Sequence, residues 1–99
     1  MAETNSIDEI RKIAVPIAQK YGVKKLALFG SYARGEQKNT SDIDFLVEKG
    51  EIKGFFRLAG FQRELEENFS VSVDVLTTGA LSDEFLNRIK NEVVTIYER

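Results

Sequence analysis

The 99-residue chain has no cysteine, histidine or tryptophan, and only one proline and one methionine. Without cysteine there can be no disulfide, thiolate metal site or thiol nucleophile. Without histidine, Ser-His-Asp hydrolysis and imidazole metal ligation are excluded as well. No charge of one sign dominates: fourteen Lys and Arg against sixteen Asp and Glu leave a formal charge of −2. A surface that grips duplex nucleic acid by phosphate neutralisation is therefore not expected. Long apolar runs are missing too, none approaching the roughly 18 to 20 residues that a spanning helix needs. The opening MAETNSIDEI carries Glu3, Asp8 and Glu9 where a secretory signal would carry a basic region and an apolar run. The expectation is a cytoplasmic protein without a membrane segment. With 42% hydrophobic residues, residues 1–99 should form one domain around one modest core. Any catalysis has to come from carboxylates, hydroxyls, cations and bound metal.

What is present is punctuated clearly. Ser6 followed by Glu9 is a capping box, and Ile10, Ile13, Ala14, Ile17 and Tyr21 then recur at helical spacing, predicting a helix over 7–20 closed by Gly22. Pro16 lies inside it and predicts a kink or two shorter pieces. Leu26-Ala27-Leu28-Phe29 suits a strand buried on both faces. After a polar segment over 35–41, Asp42 to Glu48 alternates as a second strand, with Asp42, Asp44 and Leu46 on one face and Ile43, Phe45 and Val47 on the other. Lys53 to Phe69 reads as the longest helix, its stripe formed by Phe55, Leu58, Phe61, Gln62, Leu65 and Phe69, with Phe56 on the opposite side. Val71 to Leu76 is a third strand, in which Val71, Val73 and Val75 share one face and Ser72, Asp74 and Leu76 the other. Ser82 can cap a last helix carrying Phe85, Leu86 and Ile89, and Val93 to Ile96 is β-branched enough to be extended. This order predicts an α/β domain, a small mixed sheet flanked by helices. The connection from Phe29 to Asp42 fits either a parallel crossover or an antiparallel pair, and the long helix fits a parallel crossover.

Asp42 and Asp44, two residues apart on one strand face, have Cα atoms roughly 6.5 to 7 Å apart. Two like charges leaving an apolar strand in the same direction repel and resist desolvation unless a cation sits between them. Asp74 supplies a third carboxylate if its strand neighbours theirs. Such oxygen donors suit Mg²⁺ or Mn²⁺, which complete their shells with water and phosphate oxygens. The bland alternative is three solvated strand and turn residues.

Gly30-Ser31, at the end of a buried strand, lets backbone amides and a small hydroxyl approach a phosphate. Arg34, with Lys38, Lys24 and Lys25 near it in sequence, can pair with a polyphosphate tail. Gly30 to Gly35 matches the glycine spacing of a Walker A loop, but Glu36 and Gln37 stand where that loop has Lys and Ser or Thr. An EF-hand beginning at Asp42 fails as well, with Val47 at its glycine position and Lys53 at its glutamate position.

Gly30-Ser31, ten intervening residues, then Asp42-Ile43-Asp44 resembles the G-S-x10-D-x-D signature of DNA polymerase β-type nucleotidyltransferases. GSYARGEQKNTSDIDFLVE is closer still to the minimal nucleotidyltransferases, or MNT proteins, with Val73-Asp74-Val75 as the downstream strand aspartate. The resemblance implies a polymerase β-like core in which Gly30 and Ser31 hold the β- and γ-phosphates of ATP. It also implies that Asp42 and Asp44 bind two Mg²⁺ ions, and that Asp74 binds one of them and helps activate an acceptor hydroxyl. It further implies a HEPN-domain partner: an antitoxin that transfers AMP to a tyrosine of a HEPN toxin. Two alternatives stay open, an occluding module that neutralises its partner without catalysis, and a small transferase acting on a metabolite or an RNA 3′ end. Tyr32 and Phe56 are candidate partner-facing aromatics, and self-association is a further way to cover so small a core.

Overall fold

The computed structural model describes residues 6–38 and 41–99. Helix α1 (Ile7–Tyr21) begins at the capping box: the Glu9 amide donates to Ser6 Oγ and the Ser6 amide to Glu9 Oε1, both at 3.1 Å. It ends on Gly22, whose φ of 74° is the left-handed conformation in which glycine avoids a Cβ clash. Pro16 is exposed on this helix. The helix runs on through it as one element, so the expected division into two pieces does not occur. Strand β1 (Lys25–Phe29) leads into the four-residue helix α2 (Ser31–Arg34), and strand β2 (Ile43–Glu48) follows.

Helix α3 (Phe55–Phe69) crosses to strand β3 (Val73–Thr77), a short 3-10 turn spans Thr78–Ala80, and helix α4 (Asp83–Ile89) precedes strand β4 (Val94–Glu98). The sheet order is β3-β2-β1-β4. β1 is antiparallel to both neighbours, whereas β2 and β3 are parallel. The two candidate connections from the sequence therefore resolve to an antiparallel β1–β2 pair and a parallel crossover through α3. The C-terminal segment is an edge strand, and Arg11 on α1 donates to the Thr95 carbonyl at 3.0 Å, tying that edge to the helix layer.

One face of the sheet carries the core. Leu26, Leu28, Ile43, Phe45, Val47 and Val73 are fully or almost fully buried against Ile10, Ala14, Ile17, Phe61, Leu65 and Phe69 of α1 and α3. Phe55 departs from expectation. It is 78% exposed, and Phe56 beside it 91%. The first turn of α3 projects beyond the packed layer, so its stripe is half-buried from Leu58 and fully buried only at Phe61. Gln62 belongs to that stripe for a polar reason, since its Nε2 donates to the Val73 carbonyl at 2.8 Å while the Val73 amide donates to Glu66 Oε2 at 3.2 Å. Two α3 side chains thus satisfy the backbone of edge strand β3. On the surface where α1 meets α3, Lys20 and the Tyr21 hydroxyl both bond Glu64, and the Arg57 guanidinium lies 4.4 Å from the Tyr21 ring centroid. The hydrogen bond from Lys20 holds the Glu64 carboxyl below its ordinary pKa.

A candidate active site on the open sheet face

Strand alternation sends the side chains that avoid the core to the other face of the sheet. On β2 these are Asp44, Leu46 and Glu48, on β3 Asp74 and Leu76, and on β1 Lys25, Ala27 and Phe29. Register does the rest. Asp44 pairs with Asp74 across the parallel β2–β3 ladder and with Phe29 across the antiparallel β1–β2 ladder. Adjacent strands are about 4.8 Å apart, so two carboxylates share one row of the sheet, beside the end of β1 from which Gly30 and Ser31 continue.

Asp44 is half-buried, Asp42 and Asp74 are exposed. Burial is the largest cause pushing the Asp44 carboxyl up to about 6, followed by its hydrogen bond with Asp74 and the charges of Asp74 and Asp42, with Arg34 acting weakly in the other direction. Asp42 precedes β2 and is felt by Asp44 as a charge. Among the described residues, no three His, Cys, Asp or Glu side chains are grouped as a ready cation cage. The donor set is instead a facing pair, Asp44 and Asp74, with the Asp42 charge felt at Asp44, so like charges meet on a partly desolvated face. A hard divalent cation with water and phosphate ligands fits that arrangement.

Gly30 makes the approach possible. Its φ of 75° and ψ of −151° lie in a region that is essentially glycine-only. A Cβ built there would stand 2.5 Å from Asp44 Oδ2. The same backbone turn starts α2, and Gly35 closes it in a left-handed conformation. The Ser31 carbonyl accepts the Glu36 amide at 2.9 Å, which draws the segment into a compact elbow over the carboxylates.

The remaining predicted residues fall out differently. Arg34 is exposed and its Nε donates to Glu36 Oε1 at 3.0 Å. Tyr32 is only 2% exposed and belongs to the core cluster, so the expectation of a partner-facing aromatic there is corrected. In this four-residue helix, Ser31–Arg34, the second position turns inward. Lys25 does not join the site, since its place is at the opposite end of β1. Alternation already placed Leu46 on the face of Asp44 and Leu76 on that of Asp74; the parallel register, which the sequence does not show, pairs the two leucines one step beyond the Asp44–Asp74 row.

A profile of the nucleotidyltransferase domain matches residues 8–96. A candidate protein adenylyltransferase of Methanocaldococcus jannaschii is 48% identical over 91 residues, covering 92% of this chain and 98% of that one. Protein adenylyltransferase MntA of Thermococcus cleftensis is 30% identical over 95 residues, covering 92% of this chain and 96% of its own. Among solved structures, a complex of a tri-AMPylated HEPN toxin with an MNT antitoxin from Shewanella oneidensis contains a chain that superposes with a TM-score of 0.71. The match covers 94% of this chain and 73% of that one, at 14% identity, and is a likeness of fold.

Proposed function

The chain belongs to the nucleotidyltransferase domain family, and from that membership we propose that it transfers AMP from ATP to a hydroxyl of a partner protein, acting as the antitoxin to a HEPN-domain toxin. The two adenylyltransferase relatives support AMP as the group moved and protein as the acceptor. The superposed complex supports a HEPN partner. The observation that carries the reading is the apposition of Asp44 and Asp74 beside a glycine whose backbone conformation and closeness to Asp44 penalise any side chain.

In this reading Gly30 and Ser31 hold the β- and γ-phosphates, and Arg34 pairs with the phosphate tail after giving up Glu36. Asp42, Asp44 and Asp74 hold two Mg²⁺ ions, with Mn²⁺ as a substitute. Bound there, the metal neutralises phosphate charge and lowers the cost of charge on the leaving group. The acceptor oxygen, expected to be a tyrosine phenol, attacks the α-phosphorus. An oxygen–phosphorus bond forms, the bond from the α-phosphorus to the bridging oxygen breaks, and pyrophosphate leaves with the electron pair. Without histidine, the proton goes to Asp74 or to solvent. The exposed Phe56, with Phe55 at 6.3 Å, is a second place for the partner to touch.

The test is incubation with α-³²P-ATP, Mg²⁺ and a HEPN-domain partner, alongside an Asp42→Asn, Asp44→Asn variant. Label on the partner that disappears with the variant is the expected result. If the two proteins co-purify and none of the four nucleoside triphosphates gives label, the chain is an occluding module and the reading fails.

A further inference from the structure

We propose that Gln62 and Glu66 of α3 are positioning residues for Asp74. They hold the two outward-facing backbone groups of Val73, and through the Val73–Asp74 peptide they fix the carboxylate that faces Asp44. Their effect on rate rests on the nucleotidyl-transfer reading; the placement of Asp74 does not.

Asp74 belongs to an edge strand, whose outer side has no ladder partner. The Ile43 amide donates to the Ser72 carbonyl at 3.0 Å. In a strand the backbone groups of successive residues point alternately to its two sides, so those of Ser72 and Asp74 turn toward β2 and those of Val73 away from it. Both outward groups are nonetheless satisfied. Gln62 Nε2 donates to the Val73 carbonyl at 2.8 Å, and the Val73 amide donates to Glu66 Oε2 at 3.2 Å. Residues four apart are neighbours on a helix surface, so this pair does for Val73 what a further strand would do. A leucine at 62 would continue the apolar stripe of Leu58, Phe61, Leu65 and Phe69 but would leave the Val73 carbonyl without its donor.

Peptide geometry carries this hold to Asp74. The carbonyl that Gln62 binds belongs to the peptide unit containing the Asp74 nitrogen, and that unit is planar. With its oxygen tied to α3 and its N–H turned toward β2, the plane is fixed, and with it the direction in which the Asp74 side chain leaves the sheet. The side chain itself is exposed, and the group it bonds is Asp44, a second carboxylate. When both are ionised they repel, and the repulsion acts to part edge strand β3 from β2. The two bonds from α3 hold β3 in place against it.

The experiment uses the full chain with three readouts: Mn²⁺ affinity by EPR in the presence of the α,β-methylene analogue of ATP, kcat and KM for AMP transfer to a HEPN-domain partner, and urea unfolding. Gln62→Leu and Glu66→Leu each remove one bond to Val73 and leave the three aspartates as they are. Each should weaken Mn²⁺ binding five-fold or more and lower kcat ten-fold or more, with the KM for ATP within two-fold. Glu66→Gln keeps an acceptor oxygen for the Val73 amide and should restore Mn²⁺ affinity and kcat to within two-fold of wild type. Asn68→Ala removes a bond to the Glu64 carbonyl within the same helix, one that does not reach β3, and should change neither. If Gln62→Leu does not fold, Gln62→Glu, of the same size and without a donor when ionised, takes its place with the same losses expected. Wild-type Mn²⁺ affinity in folded Gln62→Leu and Glu66→Leu overturns the positioning role, as does Glu66→Gln as impaired as Glu66→Leu, or an equal loss in Asn68→Ala. If the clamp variants weaken Mn²⁺ binding and the wild-type chain labels no partner, the positioning of Asp74 stands and nucleotidyl transfer falls. A wild-type chain that binds no Mn²⁺ with the analogue overturns both.

Discussion

Asp44 sits where three effects meet, and its protonation is the most direct handle on the site. Burial and the neighbouring carboxylates raise its pKa from 3.8 to about 6. An acid raised in the folded state binds its proton more tightly there than in the unfolded chain, so its contribution to stability is full below about pH 4 and is lost as pH rises through about 6. In metal-free protein, Asp44→Asn should therefore be more stable than wild type above pH 6 and equal to it below pH 4, measured by thermal unfolding across that range. Saturating Mg²⁺ should reverse the order at pH 7.5, because the wild type alone offers the carboxylate to the cation. Gly30 is the second residue whose identity local geometry constrains. Gly30→Ala meets both the glycine-only dihedrals and the Asp44 oxygen. It should cost about 1–3 kcal/mol in urea unfolding. Gly79→Ala, with nothing within 4 Å of its Cβ, should stay within about 0.5 kcal/mol.

At the scale of elements, local signals and tertiary packing divide the work unevenly. The capping box of α1 was legible because both hydrogen bonds are made within four residues, and Ser6→Ala should lose about 1 kcal/mol. Pro16 shows the opposite case. Its missing amide leaves the Lys12 carbonyl without its intrahelical donor, yet α1 runs through unbroken because Ile10, Ala14, Ile17 and Ala18 are anchored in the core on both sides of it. Pro16→Ala should accordingly raise stability by roughly 1–3 kcal/mol with no change in transfer activity, checked by denaturant unfolding and the labelling assay in parallel. Phe55 misled for a similar reason. Its spacing fits the stripe of α3, but burial depends on where the opposing layer ends, and a helix's own period carries no information about that.

For the molecule as a whole, function follows from strands that are distant in sequence. Val73-Asp74-Val75 is about thirty residues from Asp42-Ile43-Asp44, and the α3 crossover alone brings them into register. Nucleotide binding should therefore stabilise the entire fold rather than one loop. ATP with Mg²⁺ at about one hundred times its Kd should add about 2.7 kcal/mol. The gain should be absent in Asp42→Asn, Asp44→Asn, which differential scanning calorimetry would show directly.

Sequence alone determined the alternation of helices and strands, the GS and DxD pattern with its third aspartate, the exclusion of thiol and imidazole chemistry, and a carboxylate-bearing sheet face. Each of these is set by residue type and short-range spacing, which period, cap and turn chemistry report directly. Only the tertiary structure decided that β1 and β2 run antiparallel, that Asp44 stands opposite Asp74, that Tyr32 turns into the core while Phe55 leaves it, and that Leu46 pairs with Leu76 one step beyond the carboxylates. These depend on register and on where one layer stops covering another. Both follow from the simultaneous burial of α1 and α3 on a single sheet face, a condition that no window of the sequence contains.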